Sequence, residues 1–339
     1  MRARRSRIFI CAAFIVAVVF LVLTTPAFAA GPGWTWSNGT FTALQGTPAL
    51  PNVTPLGISP DGSYVVGYGV GTTPPVQRAL VWHPRPWFRS GVTELGTLGS
   101  NMSSAYDVNN AGHAVGFADV AYDKPVAVLF AHGHVTPLRP GDAYSAANAI
   151  NKYDLVVGDA TMADGHTWAY SWQAGTMTEL PHLPRWLWST AYDVNDAGQI
   201  AGMAVLIDGT TLAVEWSMGG VVVLPNLPLG HPDSAAFSIN ARGDIAGSAM
   251  DANGDGYAVV WRKGLGDIWT CKIVGNLGSY ALGINDAGSV VGTSPAGTGF
   301  HAFLYRSGLT DLGTLFPWPT SQARGISNQN IVIGCNDYV

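Results

Sequence analysis

Tryptophan and histidine residues gather in three segments of this chain that interrupt an otherwise repetitive sequence. One segment carries Trp186 and Trp188 together with His182, and two related segments carry Trp318 and His231. Indole rings beside polar side chains suit stacking on sugar rings or anchoring a protein partner. These five residues are the predicted contact residues. The alternative is that the same tryptophans only cover the ends of neighbouring strands with apolar surface.

Another short segment has the residue types of a calcium loop. Asp251, Asn253 and Asp255 alternate oxygen-bearing side chains, and a glycine follows each of the last two. The loop of an EF-hand opens in this way but ends in a glutamate, where this chain has Arg262. The sequence favours a polar hairpin loop, keeps calcium as the alternative, and predicts no other cofactor.

Residues for acid–base or nucleophilic catalysis do not form a recognised motif. The chain has no Gly-x-Ser-x-Gly elbow, no His-Glu-x-x-His and no phosphate-binding glycine loop. Acidic residues suited to general acid–base chemistry are spread over several segments, at Asp164, Asp233, Asp251 and Asp255. This scatter lowers the expectation of an enzyme, while a polysaccharide lyase or hydrolase stays as an alternative.

The elements that must position all these residues are internal repeats. Residues 194–202, Val-Asn-Asp-Ala-Gly-Gln-Ile-Ala-Gly, recur in similar form at 284–292, and looser copies bring the total to seven. The glycines that end the copies are spaced by 49, 42, 44, 45, 45 and 42 residues. These glycines are Gly67, Gly116, Gly158, Gly202, Gly247, Gly292 and Gly334. A period of about 44 residues is typical of the four-stranded blades of a β-propeller.

The most regular residues of the repeat are predicted to be structural. Each copy divides into four apolar runs, which we label strands a to d. An asparagine or serine opens each a–b turn, where its side chain bonds the backbone two residues on. The turn residues are Ser59, Asn109, Asn151, Asn195, Asn240, Asn285 and Ser327. An aromatic ring recurs on strand c, where it suits packing between blades. The ring residues are Trp36, Trp82, Phe130, Trp172, Trp216, Trp261 and Tyr305.

The two ends of the repeat array each lack half a unit. Residues 34–44 supply strands c and d alone, and residues 323–334 supply strands a and b alone. Joined, the halves make one more blade and leave no free sheet edge at the closure. With 47% hydrophobic and 12% charged residues, the chain is also too apolar to be disordered. We therefore predict an all-β, seven-bladed β-propeller in one domain over residues 30–339, with its last blade closed by strands from both termini.

The first 29 residues are predicted to be a secretory signal peptide. Four arginines precede an apolar run over residues 8–23, and an Ala-Phe-Ala cleavage box follows at 27–29. A retained membrane anchor is the alternative. Removing those arginines leaves 13 basic and 22 acidic residues, a balance that argues against nucleic acid as a partner. No second apolar run is long enough to span a membrane, so we expect no transmembrane segment in the mature protein, which would be secreted or held in the cell envelope.

The sixth repeat shows a likeness to a known family. Residues 301–305 read His-Ala-Phe-Leu-Tyr, with Leu-Gly-Thr-Leu at 312–315 after them and the 284–292 copy before them. A Leu-Gly-Thr-Leu-Gly copy also stands at 95–99. These segments resemble the HAF-type extracellular repeat family, and the resemblance covers nearly all of the mature chain. It implies an exported bacterial repeat protein and no particular activity.

These observations predict an exported, non-catalytic binding or interaction protein. Its partner would be a carbohydrate or a protein at the cell envelope, and its contact surface would be the face that carries the d–a loops. Two alternatives stay open, namely a propeller-fold polysaccharide lyase or hydrolase, and a purely structural cell-surface protein. The two cysteines of the mature chain, Cys271 and Cys335, are expected to stay unpaired.

Overall fold

Seven four-stranded antiparallel sheets form the blades of a propeller in the computed structural model. The structure describes residues 30–72, 75–83, 91–121, 124–138, 144–162, 165–217, 220–297, 299–315 and 317–337. The seven-bladed all-β architecture predicted from the repeats is therefore confirmed. The predicted signal peptide, residues 1–29, lies outside the described residues.

The strands follow one another in the order of the repeats. The first described strands are β1 (Ala30–Ser37) and β2 (Thr40–Ala43). Blade 1 contains β3 (Asn52–Ile58), β4 (Val65–Thr72), β5 (Pro75–Trp82) and β6 (Val92–Gly96). Blade 2 contains β7 (Ser103–Val108), β8 (Ala114–Asp119), β9 (Pro125–Ala131) and β10 (His134–Pro137). Blade 3 contains β11 (Tyr144–Ile150), β12 (Val156–Thr161), β13 (Thr167–Gln173) and β14 (Thr176–Glu179).

The second half of the chain repeats the pattern. Blade 4 contains β15 (Trp186–Val194), β16 (Ile200–Leu206), β17 (Thr211–Ser217) and β18 (Gly220–Val223). Blade 5 contains β19 (Ser234–Ile239), β20 (Ile245–Met250), β21 (Gly256–Lys263) and β22 (Trp269–Leu277). Blade 6 contains β23 (Tyr280–Ile284), β24 (Val290–Ala296), β25 (Gly299–Tyr305) and β26 (Leu309–Gly313). The last strands are β27 (Gln322–Ile326) and β28 (Val332–Asp337).

Strands from both ends of the described chain make the seventh, closing blade. Its strand order is β2-β1-β28-β27, with Trp34 opposite Gly334 and Trp36 opposite Val332. The buried indole of Trp34 donates a hydrogen bond to Asn336 Oδ1 at 3.0 Å. The predicted closure is confirmed, and it ties the first strand to the last.

Aromatic side chains of strand c seal the contacts between blades. Trp216 and Trp261 are almost fully buried, and each indole N–H reaches a backbone oxygen of the preceding blade. Trp216 donates to Pro181 O at 2.8 Å and Trp261 to Pro225 O at 2.7 Å. A ring that fills the gap and also satisfies a carbonyl fixes the distance between two sheets. The predicted role of the aromatic positions in blade packing is confirmed at these residues.

A serine near the start of strand a makes a second contact between blades. Ser189 Oγ accepts a hydrogen bond from the Ala169 N–H of the preceding blade at 3.0 Å, and Ser234 accepts one from Ala213 at 3.0 Å. The same bond forms at Ser103, Ser145, Ser279 and Ser321. These alanines are fully buried, so a larger side chain on strand c would separate the blades.

Two further findings concern the described residues alone. They include no helix long and apolar enough to cross a membrane. Among these residues no disulfide joins Cys271, on the outer strand of blade 5, to Cys335, in the closing blade.

Candidate functional site

Each innermost strand of the propeller carries a β-bulge at the same place. In β15, Ala191 pairs with Gly202 and Asp193 with Ala201, so Tyr192 between them has no partner on β16. A bulge redirects the side chain of its extra residue, and in every blade that residue lines the central channel. We call these seven residues the channel ring: Leu56, Tyr106, Asn148, Tyr192, Phe237, Leu282 and Arg324.

The glycine that ends each repeat makes the bulge compatible with close pairing. A Cβ atom on Gly202 would collide with the carbonyl oxygen of Thr190 and with the ring of Trp216. The other six glycines meet the equivalent carbonyl oxygen of their own blade. Only glycine permits this approach of two backbones. The most regular residue of the repeat therefore positions the channel ring without touching a ligand itself.

The channel ring is the position where the repeat stops repeating. One residue earlier in strand a, six of the seven blades have alanine, and two residues later all seven have isoleucine or valine. The ring itself combines aliphatic, aromatic, amide and guanidinium side chains. Packing of identical blades does not demand this variety. Side chains that vary at one point of a regular scaffold are typical of a binding surface.

The channel encloses a cavity of about 580 Å³. Its described lining runs from the channel ring to the a–b turns, where Asn110, Lys152, Asp196 and Asp286 reach it, and includes no d–a loop residue. This volume lies in the range of small-ligand sites. The cavity thus extends toward the face opposite the one on which the sequence placed the contact surface.

Two aspartates lie in the channel immediately after ring residues. Asp107 Oδ2 accepts a hydrogen bond from the Ile150 N–H of the next blade at 2.9 Å. Asp193 Oδ2 accepts one from the Ile239 N–H at 2.8 Å and one from Ser238 Oγ at 2.9 Å. Both carboxyls therefore join neighbouring blades while they face the cavity.

Enclosure makes these carboxyl groups unusually basic. Burial, reinforced by the charge of Asp193, raises the pKa of Asp107 to about 7, against the opposing effect of the Ile150 and Val108 N–H groups. Burial also raises the pKa of Asp193, although its backbone and hydroxyl donors oppose the shift. Shifted carboxyls in a cavity are typical of functional sites.

An amide next to these acids has an oxygen without a donor. Asn148, in the channel ring, is 8% exposed, and its Nδ2 donates to Asp159 Oδ1 at 3.0 Å and to Ala191 O at 2.9 Å. Those two bonds fix the orientation of the amide, and they leave the buried Oδ1 with no hydrogen-bond partner. Burial raises the pKa of Asp159, behind it, to about 6. A buried acceptor without a donor is costly unless a ligand or water completes it.

The asparagines of the a–b turns form a rigid rim around the same channel. Asn151 Oδ1 accepts the N–H groups of Tyr153 and Leu155 at 2.9 and 3.1 Å, which closes its own turn. Its Nδ2 donates to Asn195 O of the next blade at 3.0 Å. The same bond to the next blade recurs at Asn109, Asn195, Asn240 and Asn285. The predicted turn role is confirmed, and the bond between blades is an additional finding.

The predicted contact residue Trp186 begins β15, where the sequence had placed a loop, and its indole stacks with two histidine rings. The ring of His182 stacks on it with centroids 4.0 Å apart, and His166 lies on it at 6.2 Å. Glu179 is hydrogen-bonded to His182. A sugar could stack on the indole face that His182 occupies only after displacing that ring.

The other predicted contact residues have separate neighbours. Trp188 packs against the Met203 cluster that also contacts Tyr192 and Phe237, so it lies next to the channel ring. His231 Nδ1 pairs with Asp233 Oδ2 at 3.0 Å. Trp318 is half-buried, and its backbone N–H donates a hydrogen bond to the Leu315 carbonyl oxygen at 3.2 Å.

The segment with calcium-loop residue types forms a hairpin loop. Asp251 Oδ1 accepts the N–H groups of Asn253 and Asp255 at 2.8 and 3.0 Å, so this carboxylate stabilises its own loop. The part of the chain that the structure describes contains no group of three metal-ligating His, Cys, Asp or Glu residues. Asp164, another predicted acidic candidate, lies outside the described residues. Calcium binding at this loop stays a prediction.

Comparison with solved structures supports the propeller fold. The β-propeller domain of the Trilobed protease from Pyrococcus furiosus superposes with a TM-score of 0.54 at 14% identity, over 83% of this chain and 84% of that one. That domain is described as having an open velcro topology, whereas here strands of both termini close the ring. A protein assigned as TolB from Agrobacterium tumefaciens gives 0.50 at 13% identity, over 92% of this chain and 100% of that one. No family model and no curated protein matches the chain.

Proposed function

We propose that this protein is an exported, non-catalytic binding protein whose ligand occupies the central channel. The observation that carries the proposal is the channel ring, because five different residue types at one repeat position point to a ligand and not to packing. The cavity it lines has the size of a small-ligand site. The ligand would be a carbohydrate or a short segment of a protein partner.

The proposed location is outside the cytoplasm, either secreted or held in the cell envelope. The basic head, apolar run and Ala-Phe-Ala box of residues 1–29 support export. The resemblance to HAF-type extracellular repeats supports the same location.

Filling the channel tests the proposed site. Leu282→Trp adds an indole to the channel ring at a partly exposed position, and it should abolish retention of oligosaccharides by the protein without unfolding it. Binding would be measured by calorimetry against a panel of soluble oligosaccharides, with thermal unfolding as the check on folding. Leu309→Trp, on the outer strand of blade 6, is the matched control. Equal binding by wild type and Leu282→Trp would exclude the channel.

The two tryptophans at the start of β15 test the opposite face in the same assay. Trp188→Ala should weaken binding moderately, because Trp188 packs on the cluster that contacts Tyr192 and Phe237. Trp186→Ala should leave binding unchanged, because the indole already stacks with His182 and His166. If Trp186→Ala abolished binding and Leu282→Trp did not, the d–a loop face would be the contact surface.

A second candidate function is a polysaccharide lyase or hydrolase. The raised pKa of Asp107, about 7, favours it, because a general acid must hold its proton near neutral pH. Against it, Asp107 and Asp193 are both tied to backbone amides of the next blade, and no histidine is found in the described channel lining. Release of reducing or unsaturated sugars from polysaccharides, lost in Asp107→Asn, would establish the enzyme.

A further inference from the structure

Two acidic groups that directly follow channel-ring residues, Asp107 and Asp193, have no cationic partner among the described residues. The partners of Asp107 and Asp193 among the described residues are backbone N–H groups and the Ser238 hydroxyl. A carboxylate enclosed away from bulk water is costly unless a proton or a cation neutralises it. Each carboxylate also keeps lone pairs for further donors, and Asp107, which joins the next blade through one oxygen, keeps the most.

The fold itself does not need a carboxylate at this position. The equivalent residues of the other innermost strands include Gly57, Ala149, Gly283 and Gly325, and those blades pair without an acidic bridge. Ser238, in blade 5, makes a longer bond of 3.4 Å to the Ile284 N–H. Joining the blades therefore does not explain why blades 2 and 4 bury a charge.

The basic groups of the described lining are engaged elsewhere. Lys152 lies at the rim, where its Nζ is 3.1 Å from Asp196 Oδ2 and 4.8 Å from the ring centre of Tyr153. Arg324 lies in the closing blade, and its Nε donates to Cys335 Sγ at 3.5 Å. Lys152 belongs to the a–b turn of blade 3, between the two blades that carry the aspartates, but its ion pair is with Asp196, and no ion pair among the described residues joins a base to Asp107 or Asp193.

Aromatic rings and an amide oxygen surround the two carboxyls. Tyr106 and Tyr192 directly precede them in the channel ring, and Phe237 lies 5.5 Å from Tyr192. Asn148, on the blade between them, has the buried Oδ1 without a hydrogen-bond donor. Aromatic faces attract cations and stack on the apolar faces of sugars. Carboxylate and amide oxygens accept hydrogen bonds from ammonium and hydroxyl groups.

We propose that the channel binds an amino sugar through its protonated amine. The ammonium group lies between Asp107 and Asp193, the amide oxygen of Asn148 accepts a further hydrogen bond, and the pyranose ring lies against Tyr106, Tyr192 and Phe237. This inference rests on the proposed function and specifies its ligand class. The cavity of about 580 Å³ has the size to hold a short oligosaccharide and is too small for a long polysaccharide chain.

The test compares sugars that differ only at the amine. The probes are the glucosamine disaccharide, its N,N′-diacetyl derivative, which has the same rings without the charge, and the lysine derivative Nα-acetyl-lysine amide. Calorimetry at low and moderate salt should show the free amine binding at least tenfold more tightly than the acetylated sugar, and weakening with salt. Nα-acetyl-lysine amide should bind more weakly than the amino disaccharide, because it lacks the pyranose rings.

Two conservative variants locate the charge that matters. Asp107→Asn and Asp193→Asn keep an oxygen for the N–H groups of Ile150 and Ile239, so the blades stay joined. Each variant should lower the affinity for the amino disaccharide about tenfold and leave the affinity for the acetylated disaccharide unchanged. Asp267→Asn, in the exposed c–d loop of blade 5, removes the same charge far from the cavity and should change neither affinity.

The outcomes separate this inference from the proposed function. Suppose that the acetylated sugar binds as tightly as the free amine and that Leu282→Trp abolishes the binding of both sugars. The channel is then the site, and the amino-sugar inference is overturned. Tighter binding of the lysine derivative overturns the sugar class in favour of a peptide ligand. If Leu282→Trp changes no affinity, the channel proposal fails and the inference fails with it.

Discussion

At the level of single side chains, the turn asparagines have two functions that can be separated by mutation. Asn151 closes its own turn through Oδ1 and bonds blade 4 through Nδ2. Two blades use serine at this position, Ser59 and Ser327, and Ser59 Oγ still accepts the N–H of its own turn. A serine can thus replace the turn function but cannot reach the next blade.

We expect Asn151→Ser and Asn151→Ala to differ in stability. Asn151→Ser should lose about 1 kcal/mol, because only the bond to Asn195 O disappears. Asn151→Ala should lose about 2–3 kcal/mol, because the turn N–H groups also lose their acceptor. Urea unfolding measures both, with Asn253→Ala in an exposed loop as the control. Equal losses for serine and alanine would show that the bond to the next blade contributes nothing.

The raised pKa of Asp107 makes the free energy of unfolding depend on pH. Its pKa is about 7 in the folded protein, above the ordinary value of 3.8, and that of Asp193 is shifted in the same direction. Between these values the unfolded chain releases the proton and the folded protein keeps it, so the carboxyl destabilises the fold progressively as pH rises from about 4 to 7. Above pH 7 both states are ionised and the loss stays constant.

The variant Asp107→Asn should remove this dependence. We expect it to be more stable than the wild type at pH 8 by about 1–2 kcal/mol, a value reduced for the water that reaches the channel. At pH 4 the gain should become small, because the wild-type carboxyl is then protonated in the folded protein and partly protonated in the unfolded chain. Chemical unfolding at both pH values measures the difference, and a constant gain across this range would contradict a raised pKa.

At the level of strands and blades, stability depends on the seams between sheets. Strand c contributes an aromatic ring to each seam, buried in five of the seven, and at six seams strand a contributes a serine that accepts a backbone N–H of the preceding blade. Both contacts join residues one blade apart, so each blade is stabilised mainly by its two neighbours. The outer strand d makes fewer such contacts, as its exposed apolar residues Ile273 and Leu277 show.

Aromatic residues at a seam should therefore matter more than those on the outer strand. Trp216→Phe should cost about 2–3 kcal/mol, because it empties part of the seam and leaves Pro181 O without its donor. Trp269→Phe, on the outer strand of blade 5, should cost less than about 1 kcal/mol, since Trp269 is half-buried beside Lys263. Thermal and urea unfolding compare the two variants directly. Similar losses of stability would show that the outer strand contributes as much as the seam.

At the level of the entire propeller, closure makes the blades unfold together. The buried indole of Trp34 holds β1 on β28 through the bond to Asn336. Trp34→Ala should cost about 3–5 kcal/mol and lower a single unfolding transition. Trp36→Ala, two residues away on the same strand and only half-buried, should cost less. Calorimetry of both variants measures this, and two separate transitions in Trp34→Ala would show that the blades remain stable without closure.

Much of the architecture was predictable from the sequence because it depends on short, local segments of the chain. The period of about 44 residues, the Asn or Ser of each turn and the half-units at both ends each depend on local chain chemistry, and all are confirmed. The predicted site rested on a weaker basis, since composition alone identified Trp186 and Trp188 in a loop. Composition does not show that His182 and His166 stack with Trp186.

The channel-ring residues stand at a variable position of the repeat, and only the tertiary structure shows that this position lines the channel. Tyr106, Asn148 and Tyr192 stand about 44 residues apart, two positions before the end of strand a, where the repeat varies. The bulge that turns them inward arises from pairing with β8, β12 and β16, and ring closure then brings their side chains to one cavity. Local chain chemistry therefore decides the number of blades and their closure. The site, its buried carboxyls and their shifted pKa values depend on contacts between distant blades, which exist only once the ring has closed.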